Sequence, residues 1–394
     1  MVDYAERMKE IRASAIRELL ALTKKPEIIS FAGGLPAPDL FPVADLKKAT
    51  DAVFDEAGKT ILQYGETAGW AELRKHIAAR MLKRNQIVTD PDNVILTAGS
   101  QQGLDFIGKL FLNEGDVVLM ESPSYLGAIN AVKPYLPNFV EVPTDGDGLI
   151  VEELERILQT TDRVKLIYVI PDFQNPSGRT WPLERRKKFM EVITKYEIPV
   201  IEDNPYGDLR FYGEFLPALK TMDTKGLVMY LGTFSKILSP GMRIGWICAN
   251  NAYIDKLNLI AQGAVLQTAT FTAAIVSKYL DMFDVDEHIA RILPVYKHSC
   301  DLMISTMDEC FPEEAVFTRP DGGLFTWVEL PDYIDTKVMA SQAMEKKVAY
   351  VPGEGFFPNG GNNHCMRLNY SKEPDDRIVT GVKILGEVIK NNLK

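Results

Sequence analysis

The sequence predicts an α/β fold built on a largely parallel sheet. Short β-branched or aliphatic runs alternate with helix-patterned stretches along most of the chain. Each such run is followed by a cluster of polar residues, as expected where parallel strands deliver loops to one crevice. The 394 residues suffice for one large α/β domain and a smaller one.

In chain order, Trp70, Leu73, Ile77 and Met81 recur at helical spacing with charges between them, so a helix is expected there. Val94-Ile95-Leu96 reads as a strand and Leu104 to Phe111 as the helix after it. Further strands are expected at Val117 to Met120, Leu166 to Ile170, Val200-Ile201, Leu227 to Leu231 and Ile244 to Cys248. From about His288 a helical pattern opens. Mixed elements follow around Gly322-Gly323 and Tyr350 to Pro352, the pattern of a second, smaller domain.

Composition narrows the class. A hydrophobic fraction of 46% with 25% charged residues fits a soluble globular enzyme. A net charge of -10 disfavours general binding to nucleic acid or an anionic membrane. The four cysteines, Cys248, Cys300, Cys310 and Cys365, form no C-x-x-C pair and no zinc spacing. Reduced thiols in a cytoplasmic protein without a metal site are therefore expected. The mixed charges Asp3, Glu6, Arg7, Lys9 and Glu10 argue against a signal peptide. Leu257 to Ser277 carries no charge, but Asn258, Gln262, Gln267, Thr268, Thr270 and Thr272 are too polar for lipid. A buried helix or a subunit contact is expected there.

The polar clusters carry the chemistry. After the predicted strands come Gly99-Ser100-Gln101, Ser122-Pro123-Ser124-Tyr125, Asn175-Pro176, Asp203 with Tyr206, and Thr233 with Ser235-Lys236. Any one of these is an ordinary turn taken alone; together they bring chemically distinct groups to one sheet edge. Lys236 stands out. It lies among Phe234, Ile237 and Leu238, with Arg243 a little further on. Apolar neighbours and a nearby cation favour the neutral amine, which is the nucleophile. Arg243, Ser235 and Thr233 suit a phosphate dianion.

The segment Thr233 to Gly245 resembles the cofactor-lysine motif of the class I/II (fold type I) pyridoxal-phosphate (PLP) dependent aminotransferases. The whole chain is similar to the branch containing 2-aminoadipate aminotransferases and kynurenine aminotransferase II. The likeness runs through ISFAGGLPAPDLFP, LQYGETAGW, TAGSQQGLD, ESPSYLGA, DFQNPSGRT, EDNPYGDL, TRPDGGLFTW and MRLNYS. The Asn-Pro, Asp-to-Tyr and Lys-to-Arg pieces, in this order, are its specific part. The resemblance implies a large cofactor-binding domain over residues 46–287, with a mostly parallel seven-stranded sheet between helices. It also implies a smaller α+β domain over 288–394 and an N-terminal arm, 1–45, that joins the small domain and covers the site.

It implies roles as well. Lys236 binds the cofactor covalently and shuttles a proton between substrate carbon and cofactor. Asp203 faces the pyridine nitrogen, Asn175 and Tyr206 hydrogen-bond the ring hydroxyl oxygen, and Tyr125 stacks on the ring. The phosphate rests on backbone N–H groups of Ser100 and Gln101, with Ser235 and Arg243 completing it. Thr233, where relatives carry Ser, is a lesser contact. Tyr64 matches a tyrosine that reaches the phosphate from the neighbouring subunit, which implies a homodimer with shared sites. Arg367, in the apolar setting of Met366 and Leu368, holds the substrate α-carboxylate, joined by Asn175 and the backbone of Gly34. Arg17 matches an arginine on a mobile N-terminal helix that pairs with acidic substrate side chains. The implied reaction is ping-pong transfer of an amino group between an L-amino acid and a 2-oxo acid such as 2-oxoglutarate. Donor candidates are 2-aminoadipate, glutamate, aromatic and branched-chain amino acids. A PLP lyase or decarboxylase on the same fold is the alternative. A ligand-sensing domain is a further one, disfavoured because the cofactor-domain motifs begin by Ile28.

Overall fold

The structure is a computed structural model that describes residues 3–11 and 25–394. Strand β1 is Ile29–Ser30, and β2 to β5 are Val94–Thr97, Val117–Ser122, Asn138–Asp145 and Gly148–Leu149. Then come β6 Val164–Val169, β7 Val200–Asp203, β8 Val228–Thr233, β9 Gly245–Cys248, β10 Val316–Phe317 and β11 Phe325–Glu329. The last are β12 Val348–Ala349, β13 Val351–Pro352 and β14 Cys365–Asn369. The main sheet has eight strands in the order β2-β9-β8-β7-β6-β3-β4-β5. Strands β8, β7, β6, β3 and β4 run parallel, and β9 pairs antiparallel with both β8 and β2.

Alternation along each central strand sends neighbouring side chains to opposite faces. Val118 and Met120 join Ile201, Met229 and Leu231 in a core under the helices Ser100–Phe111 and Asn251–Ala264. Val117 and Leu119 join Ile167, Val169, Val200 and Val228 in a core under Val151–Thr160 and Leu183–Tyr196. Burial on both faces is why these strands read as continuous apolar runs. The smaller sheet, β10-β11-β14-β13, is antiparallel. Val328, Met366 and Leu368 pack there with Cys300, Met303 and Met307 of the helix Val285–Cys310 and Ile378, Val382 and Leu385 of Asp375–Lys390.

The expected helix through Leu73, Ile77 and Met81 spans Ala71–Asn85 and buries those residues. Each predicted strand exists with ends shifted by a residue or two. The expected seven-stranded sheet has an eighth member, β5, two residues long and paired with β4 through a tight turn. A strand that short carries no hydrophobic period. Strand β4, absent from the predicted set, is largely half-exposed and includes Pro143, so its pattern is diluted. The uncharged stretch from Leu257 breaks into Asn251–Ala264 and Thr270–Met282, not a single buried helix. Its exposed members include Leu259 and Leu266, while Leu257 and Ala273 are buried. Among the described residues no helix is long and apolar enough to cross a membrane.

One buried ionic cluster anchors the turn after β6. Arg186 is fully buried and forks onto Asp172 at 2.7 and 3.3 Å, while also donating to the carbonyls of Pro171, Trp181 and Pro217. Arg210 donates to the same carboxylate at 3.3 Å and lies over the Phe173 ring. Removing one partner of a buried pair strands the other. Arg186→Ala should therefore lower stability by about 3 kcal/mol in guanidinium unfolding; a loss well under ~1 kcal/mol would mean that Arg210 alone neutralises Asp172.

Candidate active site

Parallel strands point their carboxyl ends at one edge of the sheet, and the predicted polar residues meet there. Ser100, Gln101, Tyr125, Asn175, Asp203, Tyr206, Thr233, Ser235, Lys236 and Arg243 line one cavity of about 150 Å³. A wider cleft of about 470 Å³ beside Glu141, Arg179 and His364 holds none of them. Arg243 reaches the cavity because β9 runs antiparallel to β8, so the residues before β9 start at the edge where the parallel strands end. Its backbone is left-handed, φ 52°, a conformation that costs a non-glycine residue on the order of 1 kcal/mol or more.

Close approach at this edge depends on glycine. A Cβ on Gly245 would stand 2.7 Å from the Gly99 carbonyl carbon and 2.8 Å from the Ser100 nitrogen. Gly99, φ 80°, is the cap of the helix Ser100–Phe111, and its open Cα side faces the Arg243 guanidinium. The first turn of that helix presents free N–H groups beside a cation, which suits an anion. The Ser100 hydroxyl is buried and has no partner among the described residues. The Arg243 guanidinium donates to the Ala98 carbonyl at 2.6 Å. Thr233 Oγ1 donates to the Ile244 carbonyl at 2.9 Å and accepts from the Ser235 N–H at 3.1 Å, so this hydroxyl is occupied in shaping the turn. The Gln101 side chain donates to the Gly127 carbonyl.

Asp203 is buried at the end of β7. Its Oδ2 accepts from the Tyr168 hydroxyl at 2.8 Å; its Oδ1 has no partner among the described residues. Burial pushes this carboxyl up to about 7, against the downward pull of the Tyr168 hydrogen bond. The Lys236 Nζ donates to the Gly34 carbonyl at 2.8 Å. Burial, then the nearby Arg367 and Arg243 charges, bring its amine down to about 8. Asn175 links two groups: its amide N–H lies 3.4 Å from the Tyr206 hydroxyl oxygen, and its Oδ1 accepts from Arg367 Nη1 at 2.9 Å.

Arg367 comes from β14 of the smaller sheet. Its Nη2 donates to the Ala32 carbonyl at 2.9 Å, and the rings of Phe325 and Phe356 flank it at 4.3 and 5.1 Å. Burial holds its guanidinium down at about 10. Gly34 is delivered by pairing of β1 with β12 and by the Asn369 N–H donating to the Phe31 carbonyl. Tyr168, Phe325, Phe356 and the Ala32 carbonyl were not read from the sequence. Each looks there like ordinary strand or loop filling, and only contact reveals it. Tyr64 is 77% exposed and does not line the cavity. Arg17 lies outside the described residues.

These groups fit one kind of molecule. An unpaired buried carboxylate oxygen suits a protonated ring nitrogen, a helix start with Arg243 suits a phosphate, and a lysine amine that loses its proton more readily than usual suits an aldehyde carbon. Fold and site together define a PLP-dependent enzyme of fold type I. Residues 27–382 match the family described as aminotransferase class I and II. The chain is 44% identical over 395 residues to aromatic-amino-acid aminotransferase 1 of Thermococcus litoralis, covering 99% of this chain and 95% of that one. It superposes with a TM-score of 0.96 on the crystal structure of Pyrococcus horikoshii kynurenine aminotransferase in complex with PMP, at 41% identity, covering 99% and 98% of the two chains. Alpha-aminoadipate aminotransferase from Thermus thermophilus, complexed with N-(5'-phosphopyridoxyl)-L-leucine, gives 0.91 at 38% identity, covering 98% and 97%. The chain belongs to the class I and II aminotransferases and is a PLP-dependent aminotransferase acting on amino acids and 2-oxo acids.

Only the neutral amine of Lys236 attacks an aldehyde. The rate at which an added aldehyde modifies Lys236 in the cofactor-free chain, followed by peptide mass spectrometry after reduction, should therefore climb roughly tenfold per pH unit below about 8 and level off above it. Arg367→Ala removes one of the charges that hold the amine down, so the midpoint should move up. A flat profile between about pH 6 and 9 would mean the amine is already neutral.

Proposed function

We propose the following assignment of roles and substrates. PLP, when bound, supplies a protonated ring that accepts the electron pair released at the substrate's α carbon. Lys236 would hold it through Nζ, and the same amine would move the proton at the substrate's α carbon. Asp203 Oδ1 keeps the ring nitrogen protonated. Asn175 and Tyr206 donate to the ring hydroxyl oxygen, and Tyr125 covers the ring face. Ser100 and Gln101 N–H groups, Ser235 and Arg243 take the phosphate, with Thr233 supporting the turn. Arg367 grips the substrate carboxylate beside Asn175 and Gly34. The observation that carries this reading is the meeting of a depressed lysine amine and Asp203, with its unpartnered oxygen, at one cavity whose wall residue Asn175 is bonded by the buried Arg367 guanidinium.

A homodimer completes the site in this reading, with Tyr64 supplied by a second copy. Exposed Leu62, Tyr64 and Leu266 support it, for the Gly65 N–H bonds the Gln267 side chain and so gathers them on one surface. The arm 1–45, the cofactor domain 46–287 and the small domain 288–394 form its working parts, although the helix Val285–Cys310 spans the second boundary. Four free cysteines are consistent with a cytoplasmic location.

The relatives' names cover aromatic, kynurenine and aminoadipate substrates, so we take the donor set as acidic and aromatic amino acids, with 2-oxoglutarate as acceptor. Lys236→Ala should abolish the visible cofactor band and lower turnover on the order of 10⁴-fold with the fold intact. Turnover without an added 2-oxo acid would favour lyase or decarboxylase chemistry instead. Arg17→Ala should raise KM for glutamate, 2-aminoadipate and 2-oxoglutarate roughly tenfold to a hundredfold, with little change for aromatic donors. An equal effect on both classes would remove Arg17 from specificity.

A further inference from the structure

Tyr168 is buried in β6, one strand away from Asp203, and lies outside the set of residues that touch the cavity. Its hydroxyl donates to Asp203 Oδ2 at 2.8 Å. β6 and β7 are parallel neighbours with Tyr168 in register with Ile201, so the tyrosine leans along the strand to reach the last residue of β7. A carboxylate turns freely about its Cβ–Cγ bond unless one oxygen is held. Here one oxygen is held, and the other, Oδ1, is buried without a partner on a residue that lines the cavity. The same hydroxyl favours the ionised carboxylate, opposing the upward push of burial.

We propose that Tyr168 is a positioning residue: its hydroxyl fixes the Asp203 carboxylate, charged and turned, so that Oδ1 meets the proton on the cofactor's ring nitrogen. This rests on the role of Asp203 assigned above. Tyr168 touches neither substrate nor cofactor. Its effect passes wholly through Asp203 and concerns the ring nitrogen alone.

That restriction makes the test selective. The full-length chain is freed of cofactor and reloaded with PLP or with the deaza analogue, in which CH replaces the ring nitrogen, and both affinities are measured. Tyr168→Phe keeps the ring and its packing. It should weaken PLP on the order of tenfold and lower kcat by a similar factor, with KM for the amino donor within about twofold. Affinity for the deaza analogue should stay within about twofold of the parent chain. In an Asp203→Asn background, adding Tyr168→Phe should change nothing further. Equal weakening of both cofactors would make Tyr168 a mere wall of the fold and overturn the proposal, as would no weakening of either. Asp203→Asn alone separates the two levels. If it weakens PLP but spares the analogue while Tyr168→Phe weakens both alike or neither, only this inference fails. If it treats both cofactors alike, the role of Asp203 falls and this inference with it.

Discussion

The buried guanidinium of Arg367 sets the terms for the site around it. A charge in such a place is costly unless it is hydrogen-bonded or paired. No carboxylate pairs with it among the described residues; it rests on the Asn175 amide oxygen, the Ala32 carbonyl and the faces of Phe325 and Phe356. Neutral acceptors and ring faces lessen the desolvation cost without cancelling the charge. The positive field is left free for an anion, and it reaches Lys236, whose amine it helps burial to bring down to about 8. The same residues order their neighbours: Phe325 packs edge-on against Tyr206 and closely against Gly34. Arg367, Asn175, Tyr206 and the Gly34 segment that Lys236 bonds therefore share one scaffold.

The opposite pole is Asp203. Burial pushes its carboxyl up, and the Tyr168 hydrogen bond pulls the other way. Arg367 bonded to Asn175, Arg243 at the cavity and the unpartnered Asp203 oxygen are all set in place before a ligand arrives. Such preorganisation is where electrostatic catalysis is strongest, because no reorientation is needed during reaction. The glycines at 99 and 245 belong to this design too, since any side chain there would part Arg243 from the helix start.

Much of this was legible in the chain. Central strands such as β3 and β7 were readable because burial on both faces forces continuous apolar runs. Strands β4 and β5 were not, the first being largely half-exposed and the second too short for a period. Lys236, Asp203 and Asn175 announced themselves as polar residues after apolar strands, and the cavity gathers them as that pattern implies. Tyr168 left no trace, because a tyrosine within a strand is indistinguishable from core until its hydroxyl's partner is known.

The sequence by itself determined the strand and helix alternation, the polar groups at strand ends and their family likeness. These depend on local periodicity and on residue types in fixed order, which a linear chain displays. Only the tertiary structure decided which groups are free and which are spent. Thr233 Oγ1 is committed to the Ile244 carbonyl, whereas Asp203 Oδ1 is left without a partner among the described residues. It also decided that Arg367, far along the chain, stands beside Asn175, through the pairing of β14 with β11 and the approach of the smaller sheet to the large one. Hydrogen-bond commitment and desolvation are properties of neighbours in space, and the chain records only neighbours in order.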